Sequence, residues 1–186
     1  MKKKTIAVVL ALVLVICCAV GGVLAWLTDT TAPIKNTFTV GNVKIDLAES
    51  NNLNLKMIPG KDIEKDPKVT VEAGSEACWL FVKVEKSNNF DDFMTYTMAE
   101  GWNQLKDADG NDVSGVYYRV VGTAATDTTF NVIKDNTVTV KTSVTQNMMD
   151  NITNGSATAP TLTFTAYACQ SAGFDTPAAA WAEVRK

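Results

Sequence analysis

The sequence predicts an all-β fold, a single antiparallel β-sandwich with a few short helices, on three observations. Apolar and polar residues alternate with period two through most of the chain after residue 40. Turn residues punctuate these runs at short intervals. Helix-forming stretches are few and brief, which leaves packed antiparallel sheets as the way to bury one apolar face per strand.

The elements follow in order. Phe38 and Val40 open the first alternating stretch, and after Gly41-Asn42 the run Val43-Lys44-Ile45-Asp46-Leu47 continues it. Ile58-Pro59-Gly60-Lys61 predicts a turn, because proline presets one dihedral and glycine accepts a positive one. Val69 and Val71 alternate with Thr70 and Glu72. Leu80, Val82 and Val84 alternate with Phe81, Lys83 and Glu85. Trp102–Leu105 and Val116–Val121 read as the arms of a hairpin around Asp107-Ala108-Asp109-Gly110-Asn111-Asp112. Val138 and Val140 mark another strand. After the loop Asn154-Gly155-Ser156, residues Thr161–Ala168 place threonine on one face and apolar side chains on the other. Short helices are expected over Asn89–Met94 and Thr145–Ile152. Thr176-Pro177 pairs an N-cap with proline at the first helical position, and Ala178–Val184 continues that helix. Periodicity leaves jelly-roll and immunoglobulin-like connectivity both open.

The N-terminus reads as an export signal. Lys2, Lys3 and Lys4 form a positive region, Ile6–Val20 an apolar run, and Val23 and Ala25 the small-residue site a signal peptidase reads. The expected cut falls between Ala25 and Trp26, so residues 1–25 are a signal-peptide helix. The alternative is an uncleaved membrane anchor, since Ile6–Leu27 just reaches the ~20 apolar residues a spanning helix needs. Ile16 precedes Cys17, where a lipoprotein cut wants a small residue. The C-terminal Ala182-Glu183-Val184-Arg185-Lys186 carries no wall-sorting pattern. Secretion to the cell surface or matrix is therefore expected, with membrane contact only through the uncleaved signal.

Removing 25 of the 186 residues leaves 161, enough for one domain with a real core. That mature chain has 14 basic and 20 acidic residues, a net charge of −6, which argues against nucleic acid as a partner. Histidine is absent, which removes the usual zinc-hydrolase ligand sets, Ser-His-Asp triads and Cys-His pairs. Neighbouring acids such as Asp91-Asp92 point apart, so no paired carboxylates are set for acid–base work. No enzyme activity and no cofactor are expected. Cys78 shares a strand face with Leu80, whereas Cys169 has the parity of Thr165 and Tyr167, opposite Ala168. Regular strands would point the two thiols to different sheet faces and disfavour a bridge.

Three segments carry a family resemblance. Gly21-Gly22-Val23-Leu24-Ala25-Trp26-Leu27-Thr28-Asp29 resembles the signal and cleavage region of exported proteins processed by the dedicated signal peptidase SipW. Asn36-Thr37-Phe38-Thr39-Val40-Gly41-Asn42-Val43 follows as it does in that group. Ile58-Pro59-Gly60-Lys61-Asp62-Ile63, then Lys65-Asp66-Pro67, is similar to the Pro-Gly-Asp-Lys turn and following strand of the TasA/camelysin family. The resemblance covers about the first 70 residues. It implies a Gram-positive source, a jelly-roll fold and an extracellular role as subunit of a surface or biofilm-matrix fibre. In such fibres the mature N-terminal segment is donated as a strand to the neighbouring subunit. Here that segment is 26–40, with Trp26, Leu27, Ile34, Phe38 and Val40 as its apolar side chains, ahead of the domain at 41–186. Alternatively Phe38 and Val40 begin the domain's own first strand, and both hold if Trp26–Pro33 is donated while Phe38–Val40 stays intramolecular. The metallopeptidase activity attached to some members does not transfer, because the chain has neither histidine nor an HExxH helix.

Two further clusters are weighed. Asp107, Asp109 and Asn111 have the opening spacing of a calcium loop, but Asp112 stands where glycine is needed and Tyr118 where glutamate is needed. A solvated hairpin loop explains them better. Trp79, Phe81, Trp102, Tyr117 and Tyr118 could form a sugar-binding strip, yet core packing, some of it under Ala178–Val184, is the stronger expectation. The expected function is therefore a secreted structural protein that self-associates into fibres. The alternative is a monomeric binding module for a wall glycan or matrix protein, and a weaker third is a hydrolase working with carboxylates alone.

Overall fold

The computed structural model describes residues 42–50 and 56–185, which belong to one compact unit, Val40–Lys186. The signal-peptide helix, the cut between Ala25 and Trp26, and the segment bearing Leu27, Ile34, Phe38 and Val40 lie outside the described residues.

The alternating runs become ten antiparallel strands among the described residues: β1 (Ile45–Ala48), β2 (Asp62–Glu64), β3 (Lys68–Val71), β4 (Cys78–Lys86), β5 (Met94–Thr95), β6 (Asn103–Lys106), β7 (Asp112–Val121), β8 (Thr128–Asn131), β9 (Thr137–Val140) and β10 (Leu162–Gln170). They form sheets of order β10-β4-β7-β6, β1-β3-β8 and β2-β9-β5. The result is an all-β antiparallel sandwich, as expected. Three short helices join it: α1 (Phe90–Phe93), α2 (Gln146–Thr153) and α3 (Pro177–Val184).

The four-stranded sheet divides two cores. Cys78, Leu80, Val82 and Val84 face the main core, where they meet Val69 and Val71 of β3 and Val138 of β9. From β10, Leu162, Phe164, Ala166 and Ala168 face the same way. The opposite face carries Phe81 and Val116, and α3 closes over it with Ala180 and Trp181. Thr176 caps α3, its hydroxyl accepting from the Ala179 amide at 3.2 Å. A third cluster of Ile63, Phe93, Val140 and Val144 packs against Met148, Met149 and Ile152 of α2, which Thr145 caps through the Met148 amide.

Several elements differ from the sequence reading. The ladder of β1 starts at Ile45 rather than Val43. The Lys44 amide donates instead to the Ser75 hydroxyl at 3.1 Å, and the Asn42 carbonyl accepts from Glu76 at 2.9 Å. Strand β6 begins at Asn103, because Trp102 turns into the core and donates its indole N–H to the Asn131 carbonyl at 2.8 Å. Strand β8, Thr-Thr-Phe-Asn, escaped periodicity because a sheet edge asks for only one apolar side chain, Phe130.

Candidate functional site: the open edge of β10

Strand β10 pairs with β4 over its whole length, from Leu162 opposite Lys86 to Gln170 opposite Cys78. Among the described residues no strand pairs with its other edge. The consequence is visible in burial. Leu80, Val82 and Val84 of β4 are buried, whereas Leu162, Phe164, Ala166 and Ala168, on the same face one strand over, remain half-exposed. A nine-residue strand with an open edge presents unpaired backbone groups that another extended segment can satisfy.

Two hollows adjoin the start of this edge. One, of ≈ 380 Å³, is lined by Met57, Ile63, Phe90, Met94, Val138 and Leu162 among others. The second, of ≈ 280 Å³, separates Leu47 and Ala48 of β1 from Leu162 and Phe164 of β10. Leu162 and Lys65 border both. The floor of the first hollow is apolar, and the unbranched thioethers of Met57 and Met94 make it adaptable in shape.

The wall of the second hollow is held by polar contacts. Lys65 pairs with Glu49 at 2.8 Å, and its ammonium lies 5.6 Å from the centre of the Phe164 ring. Behind it, the buried Asp66 accepts from the Ser50 amide at 2.9 Å and the Ser50 hydroxyl at 2.5 Å, and pairs with Lys68 at 3.0 Å. The Ser50 hydroxyl, then its amide, then Lys68 hold the Asp66 carboxyl far below the usual carboxylate range, overriding the opposing effect of burial. This carboxylate pins the chain leaving β1 against the start of β3.

The other candidates are placed as follows. Asp107 Oδ1 accepts from the amides of Asp109 and Asn111, both at 2.9 Å, in the turn joining β6 to β7. Asp107 therefore serves its own backbone, and no group of three metal-ligating side chains gathers among the described residues. The aromatic residues split between the cores. Tyr117 and Trp102 pack with the main one, and Trp79, Phe81 and Tyr118 with the α3 cluster, where the Trp181 ring centre lies 5.3 Å from that of Phe81. No continuous ring surface results. Cys78 and Cys169 are both free thiols. Sequence reasoning did not find the Ser50–Asp66 lock or the β10 edge, since both depend on which strands lie side by side. The half-apolar pattern of Leu162–Ala168 was the available signal for the second.

Comparison with protein-family models, curated proteins and solved structures finds no match for this chain.

Proposed function

We propose that the protein is a secreted structural subunit that assembles into a cell-surface or matrix fibre, each copy accepting an extended segment of another along β10. The observation that carries the reading is the β10 edge, unpaired among the described residues, with four apolar side chains half-exposed and two of them, Leu162 and Phe164, bordering hollows. An added strand gains main-chain hydrogen bonds, and its alternate side chains fill such hollows. Segment 26–40 has suitable chemistry, since it is rich in threonine, contains Pro33, and carries Trp26, Leu27, Ile34, Phe38 and Val40. The resemblance of three segments to TasA/camelysin proteins, which implies a jelly roll, supports the same reading.

The reading is tested by electron microscopy and light scattering on 26–186 beside a chain starting at Asn36. Filaments from the longer chain only are expected. Filaments from both would discard residues 26–35 as the donor. Monomers from both, even when concentrated, would overturn the subunit function.

A further inference from the structure

We propose that Arg119 is a binding residue for a carboxylate presented by another polypeptide, at the side of the sandwich away from β10. Arg119 lies on β7 opposite Leu80, so its side chain enters the space between the layers. It does so at the rim, beyond the last pairing of β6, Asn103 with Tyr118, and beside β8, the outermost strand of its sheet.

The guanidinium is clamped by aromatic rings. Its central carbon lies 3.8 Å from the centre of the Phe130 ring and 5.3 Å from Trp102. Trp102 is in turn fixed by its bond to the Asn131 carbonyl. Such stacking holds the planar fork in one orientation. Among the described residues no charge partner accompanies it. Five lysines of the described residues stand 2.7 to 3.0 Å from carboxylates, whereas Arg119 makes no ion pair and its Nε is buried without a hydrogen-bond acceptor. Desolvation draws its pKa downward with no acid opposing it. A partly desolvated, oriented, unpaired guanidinium is costly in isolation and is neutralised by an incoming anion.

The surroundings narrow the ligand. The terminal nitrogens reach Gly101, where a side-chain Cβ would stand 2.9 Å from Nη2, and Gly101 is exposed. The absence of a side chain there leaves the fork open at its end. With Nε buried, the approach is end-on to the two terminal nitrogens, a geometry that matches the two oxygens of a carboxylate. Trp102 is 8 % exposed and the guanidinium covers Phe130, so no ring face remains for a sugar to stack on. No strand pairs with the outer edge of β8 among the described residues, although Trp102 occupies the Asn131 carbonyl at its end. An extended acidic segment laid along it would bring a side chain to the fork, which favours a polypeptide source.

The test is NMR observation of the Arg119 guanidinium in the mature protein during titration with N-acetyl-aspartate N-methylamide, against chloride at matched ionic strength. A saturable shift of the Arg119 resonances is expected. Arg119→Lys should weaken binding about tenfold, since it keeps the charge and loses the fork, and Arg119→Gln should abolish it. The wild-type titration decides the matter even where a variant fails to fold. A response no greater than that to chloride would overturn the site, and tighter binding of glucuronate than of the aspartate amide would overturn the polypeptide source. Filament formation is read separately, so failure here leaves the β10 proposal standing.

Discussion

Cys78 and Cys169 sit on neighbouring strands one residue out of register, Cys169 opposite Trp79 and Cys78 opposite Gln170, and so project from opposite faces of one sheet. Cys78 is buried in the main core, where burial pushes its thiol up to about 11. Cys169 packs with the α3 cluster, and burial raises its thiol as well. Neither is poised for disulfide chemistry. Mature protein isolated from an oxidising medium should therefore titrate two thiols when denatured without reductant. An intramolecular bridge in the unreduced mass spectrum would contradict this packing.

Gly115 in β7 has φ +69°, and a Cβ there would stand 2.4 Å from the Val84 carbonyl oxygen. Backbone must move to admit a methyl group. Gly115→Ala should cost about 3 kcal/mol or more in a urea titration. Gly110, also at positive φ but with nothing near its would-be Cβ, is the control. Its alanine variant should cost only about 1 kcal/mol. Equal costs would show that the close approach to Val84 is immaterial.

Asp66 should make the fold acid-sensitive. Its pKa is lowered in the folded state from the ordinary 3.8, so the unfolded chain takes up the proton first as pH falls. The stabilisation from Ser50 and Lys68 is thus fully present above the unfolded value and is lost as pH drops below about 4 toward the folded one. Melting temperatures recorded down the acid range should fall less steeply for Asp66→Asn than for wild type, from a lower starting point. Parallel curves would assign the acid response to other carboxylates.

Trp181 is the principal anchor of α3, its ring meeting Phe81 at 5.3 Å and Tyr167 edge-on at 5.1 Å between centres. Trp181→Ala should cost about 3–5 kcal/mol. It should also open the C-terminal helix to proteolysis before the rest of the domain. Simultaneous cleavage throughout would mean that α3 is not a separable cover.

Leu162 borders both hollows at the start of β10. Leu162→Lys should leave a folded monomer by circular dichroism and prevent filament formation, because an inward-pointing charge blocks an edge from accepting a strand. Normal filaments from this variant would exclude the edge as the acceptor.

The sequence revealed some of this architecture better than the rest, for physical reasons. Strands β4 and β10 were readable where only one face is apolar, over Val82–Lys86 and Leu162–Ala166, whereas towards Cys78 and Cys169 the other face packs beneath α3 and the alternation fades. The same parity separated Cys78 from Cys169. Thr176-Pro177 announced its helix because a cap is local chemistry, whereas the cap at Thr145 emerged only with the structure. Strand β5, two residues long, has too little length for any period. The clamp of Trp102, Arg119 and Phe130 draws on three separate segments, and no local pattern joins them.

Strand β4 is a wall shared by two rooms. Its even-numbered residues Cys78, Leu80, Val82 and Val84 furnish the main core, while Trp79 and Phe81 furnish the one beneath α3. A slip of one residue in its pairing would exchange both sets, driving Lys83 inward toward the larger room as it expelled leucine and valine. Mispairing is thus penalised on both sides at once, and neither room can be completed while the other is wrong. The central strand works as a proofreading device, and the two clusters it lines are expected to be lost together when its sheet unfolds.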